Sequence, residues 1–516
     1  MDSYDEIPYD STPVTETDPD RLAVLGRLFG LDTADPGRCR VLELGSASGG
    51  NLIPLAWRYP GSRFIGVELS SRQVAAGQPL IERLGLTNIE LVQGDILDLG
   101  TDLGTFDYVV VHGVYSWVPA DVRSKILQIC GSVLKPHGIA YVSYNTLPGW
   151  RMRGMLRDML LYHTRHAASP SERLDRAQGF LDLMLAALAR LSAASATYLK
   201  EEILRIRKAH PSYLYHEYLA EVNEPCLFRD FLDKAEAHGL AYLCDADLHT
   251  LFASTLGTEV EAALGGIEDG IEHEQYLDFV RNRNFRQTLL CRAQVAPGRE
   301  LDLERFEELA FFADLLPPKR VDLRRPKAQP FRRANGETLE VEHPLTKAAL
   351  QYLSGRHPDK VPFSALSEAA RAAVEGAGGT SHTDELGHLF GELFSLFAHQ
   401  ALGASTEART FDRPGDRPRA TSLALAQAEA GLGHLATPHH ATLSLDPLSQ
   451  RLVSLLDGTR GLDELADTLA REIETGHHAL SASPGTERPG SRTRQEVRAN
   501  CERLIGLLTH HGVLGA

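Results

Sequence analysis

The chain has 516 residues, of which 43% are apolar and 24% are charged, and its formal net charge is −16. This length exceeds what one ordinary hydrophobic core can support and predicts three or four domains. The excess of acid argues against a broad nucleic-acid-binding surface, because such binding depends largely on Lys and Arg residues that displace counterions.

The N-terminal residues are acidic, where a signal peptide would be basic and then apolar. The chain contains no run of about 18 apolar residues, so we expect no membrane span. Six scattered cysteines without a CxxC pair are typical of reduced thiols. Together these features predict a cytoplasmic protein.

Strands alternate with helices from about residue 39 to residue 143. The apolar runs that predict strands are residues 40–44, 63–69, 89–93, 108–112 and 139–144. The runs that predict helices are residues 52–58, 72–84 and 122–134. Consecutive βα units imply a Rossmann-like α/β fold, whose parallel sheet binds ligands at the carboxyl ends of its strands.

The first strand ends in a glycine-rich turn within the sequence ELGSASGGN, residues 43–51. Glycine has no Cβ, so such a turn lets the backbone approach a nucleotide-like ligand closely. The turn does not reproduce the dinucleotide fingerprint G-x-G-x-x-G, which makes NAD the weaker choice of ligand.

Polar residues follow the next three strands. Glu68 ends the second strand about 25 residues past the turn, where an acid can accept hydrogen bonds from both ribose hydroxyls. Asp95 follows the third strand and can accept from an adenine amine, and His112 follows the fourth. Taken singly, Glu68 fits a solvated strand end and Asp95 fits a helix N-cap. Their order and spacing favour a nucleoside cofactor.

The remainder of the chain divides into further predicted units. Four prolines and an excess of basic residues predict an exposed linker after residue 300, and two faint repeats of short helices before a longer one indicate two winged-helix-like modules at the C-terminus. The predicted units are a cofactor domain with an N-terminal lid (1–150), a helical segment (151–212), a middle domain (213–300), a linker (301–335) and a largely helical C-terminal domain (336–516).

Three adjacent histidine pairs, at residues 439–440, 477–478 and 510–511, raise the question of metal binding. Each pair lacks a carboxylate or cysteine partner at ligand spacing. The sequence therefore predicts no metal site.

The motifs ELGSASGGN, VELS, GDI and LKPHG, in this order, resemble a class I S-adenosylmethionine-dependent methyltransferase. The sequences YDEIPY, PDRLA, NLIP and YNTLPGW, with YLYHEYL and FRQTLL in the middle domain, are similar to the subfamily that carries a methyltransferase regulatory domain. Its best-characterised members are rickettsial-type protein-lysine methyltransferases that act on an outer-membrane protein. The resemblance covers about residues 3–295. Ala47 fits this subfamily, whereas Asp18 departs from its usual Thr-His-Pro.

The resemblance implies S-adenosylmethionine as the cofactor. It places Gly45, Ser46 and Gly49 along the methionine part. It also implies that Glu68 holds the ribose and that Asp95 and Ile96 frame the adenine. The other implied cofactor contacts are Glu43, Asn51, Leu69 and His112.

A lysine acceptor has to lose a proton before it can attack the methyl group. Only about 1 lysine in 2,500 is neutral at pH 7, a penalty of roughly 4.6 kcal/mol. A lysine site should therefore be dry and lined by hydroxyl or carbonyl acceptors.

Aromatic side chains with polar tips are suitable walls for such a site. Tyr115 and Trp117 follow strand four, and Tyr144 and Asn145 follow strand five, so both pairs should face the methyl group. Tyr9 belongs to an acidic N-terminal segment that could fold over the cofactor as a lid and favour a lysine-rich peptide. For each aromatic residue, packing in a core is an equally good explanation.

The leading hypothesis is a methyltransferase that modifies lysine side chains of a protein or peptide. The alternatives are a methyltransferase for a small molecule or biosynthetic peptide, and a regulatory protein that binds the cofactor without turnover. No nucleic-acid partner is expected, because the catalytic domain lacks a dense basic patch. The helices of residues 152–208 could join two copies in a homodimer, although packing within one chain explains them equally well.

Overall fold

The computed structural model describes residues 11–100, 103–295, 298, 301–379, 385–475 and 494–515. Across these residues, no helix combines the length and apolarity needed to cross a bilayer. The six cysteines all lie in this part of the chain as free thiols, and five of them are buried. The predicted lid segment, and with it Tyr9, lies outside the described residues.

A seven-stranded sheet forms the centre of the structure, in the order β3-β2-β1-β4-β5-β7-β6. Strands β1 to β5 are parallel, whereas β7 runs antiparallel to both β5 and β6. The strand order reverses between β1 and β4, the position at which open α/β sheets bind ligands. The strands are β1 Arg40–Leu44, β2 Arg63–Glu68, β3 Ile89–Gln93, β4 Phe106–Val111, β5 Leu134–Asn145, β6 Leu240–Asp245 and β7 Phe285–Arg292.

Both faces of this sheet are covered, because alternate residues along a strand point to opposite faces. All six residues of β4 are buried. Tyr108 and Val110 belong to the hydrophobic core on one face, and Val109 belongs to the core on the other. Glu43 of β1 is aligned with Gly66 of β2 and with Val110 of β4, so the residues after these strands reach the same edge.

Local capping sets the bounds of the helices around the sheet. Helix Ser71–Leu84 begins where the Ser70 hydroxyl accepts a hydrogen bond from the Gln73 amide at 3.1 Å, and it ends at Gly85, which adopts a left-handed φ of 63°. The helices of the first 292 residues are Pro19–Leu28, Leu52–Arg58, Ser71–Leu84, Ala120–Val133, Trp150–Thr164, Pro170–Leu188, Ala194–Lys208, Pro211–Leu214, Phe228–Glu236, Thr258–Leu264 and Gly270–Arg281.

The predicted α/β sheet is confirmed, and two of its strands have the predicted bounds, Arg40–Leu44 and Ile89–Gln93. The predicted domain boundary at residue 150 needs correction, because β6 and β7 come from residues 240–292 and complete the same sheet. Strand β7 pairs with β5 along its length, from Ala140 opposite Leu290 to Asn145 opposite Phe285. The predicted middle domain is therefore continuous with the cofactor domain.

A helical insertion separates β5 from β6, as the sequence predicts. It has a core of its own, which includes Leu156, Leu181, Ile203 and Tyr218. The insertion ends in a π-helical turn, Tyr215–Leu219. Turns of this kind are rare and occur frequently at functional sites.

The predicted linker over residues 301–335 also needs correction. Phe306 and Phe311 are fully buried there and belong to the largest hydrophobic core, together with Phe331. Strand β8, Ala310–Phe312, pairs with two strands that follow much later in the chain. Apolar residues in this segment, rather than its prolines and arginines, decide its structure, because they bury surface against the next module.

The C-terminal region contains two groups of helices, each joined to small antiparallel sheets. The helices of the first group are Pro344–Arg356, Phe363–Gly376 and Glu385–Ala398, and those of the second are Ser422–Glu429, Pro447–Leu455, Leu462–Glu474 and Arg494–His510. The strands are β8 Ala310–Phe312, β9 Leu315–Leu316, β10 Gln329–Arg333, β11 Thr338–Val341, β12 Val361–Pro362, β13 Gly403–Ser405, β14 Arg419–Ala420, β15 His434–Ala436, β16 Thr442–Ser444 and β17 Leu514–Gly515.

The second helical group packs directly on the central α/β unit. The Trp57 indole donates a hydrogen bond to the Ser422 hydroxyl at 2.9 Å, and the Arg58 guanidinium donates to the carbonyl oxygen of Pro438 at 2.6 Å. Both donors lie on helix Leu52–Arg58, which follows the glycine-rich turn. The C-terminal module thus contacts the helix that begins at the predicted cofactor site.

Candidate cofactor and acceptor site

A cavity of about 360 Å³ lies at the carboxyl ends of β1 to β4. The glycine-rich turn, the ends of β2 and β3 and the segment after β4 form most of its wall, and the π-helical turn closes one side. The lining residues are Gly45, Ala47, Val67, Glu68, Leu69, Gln73, Gly94, Asp95, Ile96, His112, Gly113, Val114, Trp117, Val118, Pro119, Val122, His216 and Glu217.

The glycine-rich turn is held in a conformation that brings its backbone to the cavity. Gly45 has a φ of 78°, and a Cβ at this position would lie 2.5 Å from Cγ2 of Val114. Ala47 also has a positive φ, 47°, which is uncommon for a residue with a side chain. Its amide donates a hydrogen bond to Oε2 of Glu68 at 2.9 Å, so the turn and the end of β2 support each other.

Glu68 lies at the cavity wall as predicted for a ribose contact. Its Oε1 accepts from the Ser70 amide at 2.9 Å, and its Oε2 accepts from the Ala47 amide. A carboxylate has about four lone-pair sites, so two further donors such as ribose hydroxyls can still bind. Leu69 beside it is half exposed and lines the same wall.

Asp95 and Ile96 lie at the next part of the wall, where the adenine contact is predicted. Oδ1 of Asp95 accepts from the Leu97 amide at 2.9 Å and caps the short turn Ile96–Asp98. Asp95 can cap the turn and also bind a ligand in the cavity, because its second carboxylate oxygen remains available to an amine. Ile96, Val118 and Val122 provide apolar surface for a flat ring.

Glu43 is buried at the glycine-rich turn, with 4% of its surface exposed. Its Oε1 accepts from Nδ2 of Asn51 at 2.9 Å, and its Oε2 has no hydrogen-bond partner within the described part of the chain. Burial raises the pKa of Glu43 to about 7, against the Asn51 hydrogen bond and with help from the Glu68 charge. The Ser46 hydroxyl is likewise buried and unpartnered among the described residues. Neither Glu43 nor Ser46 is among the residues that line the cavity, so their cofactor contacts stay predictions.

Asn51 does not line the cavity either, and its direct contact with the cofactor stays a prediction. Its Oδ1 accepts from the Val14 amide at 3.0 Å and from Nε2 of His440 at 2.7 Å. Its Nδ2 donates to the Thr17 hydroxyl at 3.0 Å as well as to Glu43. The amide therefore connects the N-terminal segment, the glycine-rich turn and the C-terminal module.

Gly49 also lies outside the cavity wall. A Cβ at this position would lie 3.0 Å from Leu91 and 3.3 Å from Ile53, and its φ is 76°. Its role in this structure is to let the turn pack against the sheet and the following helix.

His112 is at the cavity wall as predicted. Its Nδ1 lies 3.0 Å from the Tyr141 hydroxyl, and burial lowers its pKa to about 4. The imidazole is therefore neutral at neutral pH. A base with so low a pKa is poorly matched to removing a proton from lysine, which favours a contact role for His112.

Of the predicted catalytic residues that the structure describes, Trp117 lines the cavity. Tyr115 and Tyr144 do not, since both are 1% exposed and pack against Phe231, with centroid distances of 5.2 Å and 4.1 Å. The Tyr144 hydroxyl hydrogen-bonds the Thr288 hydroxyl at 3.0 Å, on β7. Both tyrosines belong to the hydrophobic core on one face of the sheet, which agrees with the alternative explanation that they pack in a core.

Asn145 also lies away from the cavity wall. It is 2% exposed at the end of β5, and its backbone N–H donates a hydrogen bond to the Ser116 hydroxyl at 2.9 Å. The prediction placed both pairs of residues at the carboxyl edge, but side chains alternate between the faces of a strand. Tyr144 and Asn145 follow the core pattern of β5, which is buried over its last eight residues.

His216 and Glu217 reach the same cavity from the π-helical turn. Burial raises the pKa of Glu217 to about 7, even though Arg153, Arg205 and Arg157 lower it. No lysine or arginine lines the cavity among the described residues, whereas three carboxylates do. The wall is therefore acidic and suits a cationic ligand.

Three family models match parts of the chain. They are a methyltransferase domain at residues 41–138, a predicted methyltransferase regulatory domain at residues 210–292 and the PKMT C-terminal winged helix domain at residues 416–513. The Rickettsia prowazekii protein RP789 is 31% identical over 511 residues, which cover 97% of this chain and 91% of that protein.

Solved structures of PKMT2 from Rickettsia typhi share the whole architecture. The complex with AdoHcy has a TM-score of 0.86 and 27% identity and covers 98% of this chain and 100% of that chain. The structure described without AdoHcy has a TM-score of 0.83, 26% identity and the same coverage. The chain belongs to the rickettsial-type class I methyltransferases.

The methyltransferase uses S-adenosylmethionine as its cofactor. Of the residues predicted to contact its nucleoside, Glu68, Asp95 and Ile96 line the cavity. The matched regulatory domain supplies β6, β7 and the π-helical turn.

The cavity residues that sequence reasoning missed include Val67 and Gln73, on either side of Glu68, and two further groups. Val114, Pro119 and Val122 surround the predicted Trp117, whereas His216 and Glu217 lie about 100 residues later in the chain. The signal that could have revealed them is a His-Glu pair inside the otherwise aromatic and aliphatic run YLYHEYL. A glutamate is rarely buried unless it is paired, so its place in an apolar run indicates a special role.

Proposed function

We propose that this methyltransferase modifies the side-chain amine of lysine in a protein or peptide. The observation that carries the proposal is Glu217, a carboxylate at the cofactor cavity that comes from the π-helical turn. Glu68 and Asp95 are the predicted contacts of the nucleoside, and Glu217 is the cavity carboxylate that this prediction leaves for the acceptor.

Glu217 can bind a lysine ammonium group and then take a proton from it. Its pKa of about 7 is raised by burial, so near neutral pH it exists in both forms and can alternate between them. A general base works best when its pKa lies near the working pH, because it is then deprotonated and still accepts a proton readily. When bound, S-adenosylmethionine supplies the activated methyl group.

The neighbours of Glu217 support this role. Arg153, Arg157 and Arg205 lie close enough to lower its pKa, so they favour the ionised carboxylate that binds a cation. Trp117 lines the cavity and packs edge-on against Trp150 at 5.9 Å. An aromatic face beside a carboxylate is a common surface for an ammonium group and its alkyl chain.

A macromolecular acceptor also agrees with the relatives and with the additional modules. PKMT2 carries a name that denotes protein-lysine methyltransferase, and its structure covers the C-terminal modules of this chain as well. A small acceptor would need no surface beyond the cavity, whereas a protein acceptor would use surrounding surface for binding.

The test is methyl transfer from S-adenosylmethionine labelled on the methyl group to a lysine-rich protein and to a small-molecule extract. We expect label in the protein, recovered as methyllysine after hydrolysis and assigned by mass spectrometry. Label confined to small molecules, or to protein residues other than lysine, would overturn the proposed acceptor.

The role of Glu217 is tested with Glu217→Gln against Glu221→Gln, an exposed glutamate four residues later. We expect the Glu217 variant to bind the cofactor normally and to lose about 100-fold or more in kcat, the usual scale of general-base catalysis. The Glu221 variant should behave as the wild type. Equal rates for all three proteins would remove Glu217 from the acceptor site.

A further inference from the structure

Three metal-ligating side chains from distant parts of the chain meet beside the C-terminal module. Asp314 lies between β8 and β9, His357 follows helix Pro344–Arg356, and His510 ends helix Arg494–His510. Each offers one ligand atom, and the three atoms lie within 4.8 Å of one another. Two imidazoles and a carboxylate are a common donor set for zinc and related ions.

We propose that Asp314, His357 and His510 form a binding site for a divalent transition-metal ion of the Zn²⁺ type. The ion would connect the last helix of the C-terminal module to the β8–β9 turn and to the first helical group. The fourth position of a tetrahedral ion would be left to water. Because its three ligands come from three separate segments, the ion would fix the module in place.

The hydrogen bonds of the cluster agree with metal binding. Nε2 of His510 lies 2.8 Å from Oδ1 of Asp314, which pairs one imidazole with the carboxylate. His357 is buried, with 7% of its surface exposed, and its Nδ1 has no hydrogen-bond partner among the described residues. A buried nitrogen without a partner is costly, and a metal ion nearby would remove that cost by coordination or through water.

A cationic side chain near the cluster is already paired with backbone. The guanidinium of Arg413 donates to the carbonyl oxygens of Arg356 and His357 at 2.8 and 2.9 Å.

The prediction of no metal site rested on the absence of partners near the pair at residues 510–511. Asp314 is such a partner. It lies next to His510 in space, although it is 196 residues earlier in the sequence. Ligand spacing along the chain detects compact zinc motifs and misses ligands that distant modules contribute.

The experiment uses the full-length chain without an affinity tag, treated with a chelator and then titrated with Zn²⁺ by calorimetry. Co²⁺ replaces Zn²⁺ in parallel, because its visible absorption reports a tetrahedral site. We expect one ion per chain and a Tm that rises with free Zn²⁺, since an ion that binds the folded state stabilises it. His510→Asn should weaken Zn²⁺ binding by more than about tenfold, because even outer-shell changes cost 10- to 100-fold.

Two controls make the result specific. His388→Asn alters a second, more exposed group formed by His343, His388 and Glu392, and it should leave the stoichiometry and affinity unchanged. Asp314→Asn provides a second ligand variant of nearly the same size. Unchanged S-adenosylmethionine binding in each variant shows that the chain is folded.

The proposal is overturned if the wild type binds no Zn²⁺ above the level of both ligand variants. It is also overturned if His388→Asn abolishes binding, which would place the ion at the second group. Loss of binding in the His510 and Asp314 variants, with retention in the His388 variant, supports it.

Discussion

Glu43 provides a prediction about how the stability of the fold depends on pH. It is 4% exposed, and one of its carboxylate oxygens has no hydrogen-bond partner in the described structure. Burial raises the pKa of Glu43 from 4.5 to about 7. The folded protein therefore binds this proton more tightly than the unfolded chain does, and ionisation of Glu43 destabilises the fold.

The raised pKa of Glu43 determines how the unfolding free energy changes with pH. The stabilising contribution of protonated Glu43 is complete below pH 4.5 and is lost as the pH rises to about 7. The difference corresponds to roughly 3 kcal/mol of unfolding free energy. Because glutamine does not titrate, Glu43→Gln should gain roughly 2 to 3 kcal/mol relative to wild type between pH 5 and pH 8.

The assay is urea denaturation of the cofactor-free wild type, of Glu43→Gln and of Glu90→Gln at pH 5, 6.5 and 8. Glu90 is an exposed glutamate on β3, so its variant controls for loss of a titrating group at the surface. Glu217 titrates in the same range in all three proteins and therefore cancels. A difference between wild type and Glu43→Gln that stays constant with pH would refute the argument.

Three further predictions concern the cavity and the core beneath it. Glu68→Ala should weaken S-adenosylmethionine binding by about 100-fold or more in calorimetry, because two hydroxyls lose a charged acceptor worth about 1.5–3 kcal/mol each; unchanged affinity would remove Glu68 from the ribose site. Tyr144→Phe breaks the hydrogen bond to Thr288 and should lower the unfolding free energy by about 1 kcal/mol while turnover stays within about twofold of wild type; a large loss of kcat with normal stability would return Tyr144 to the acceptor site. In wild type, kcat/KM should fall about tenfold per pH unit below pH 7 as Glu217 gains its proton and should be level above it; the same slope in Glu217→Gln would assign that ionisation to another group.

The cofactor side of the site could be predicted from the sequence because its signals are local. Gly45, Glu68 and Asp95 each lie at the end of a strand or within two residues after it, and parallel strands bring such residues to one edge of the sheet. Chain order and strand direction are therefore sufficient for this half of the cavity. The contacts of Asn51 could not be predicted in this way, because its partners Thr17 and His440 come from segments that no local sequence pattern connects.

The acceptor side could not be predicted in the same way. Tyr144 and Tyr115 were placed by their position after a strand, but the face on which a side chain lies depends on the register of β7 and on the packing of Phe231. Glu217 belongs to a different segment, and its position depends on how the helical insertion folds back over the sheet. Such contacts are decided by tertiary packing, which overrides what a short pattern indicates.

The position of β7 has a consequence for how the chain folds during synthesis. Strand β5 ends at Asn145, and its antiparallel partner β7 ends at Arg292. A ribosome that adds 5–20 residues per second needs about 7 to 30 s to make the intervening residues. During that interval one edge of β5, a strand whose last eight residues are buried in the finished sheet, has no partner and is exposed to neighbouring nascent chains. The helical insertion, with a core of its own, is made in the same interval and is the part of the chain able to shield that edge.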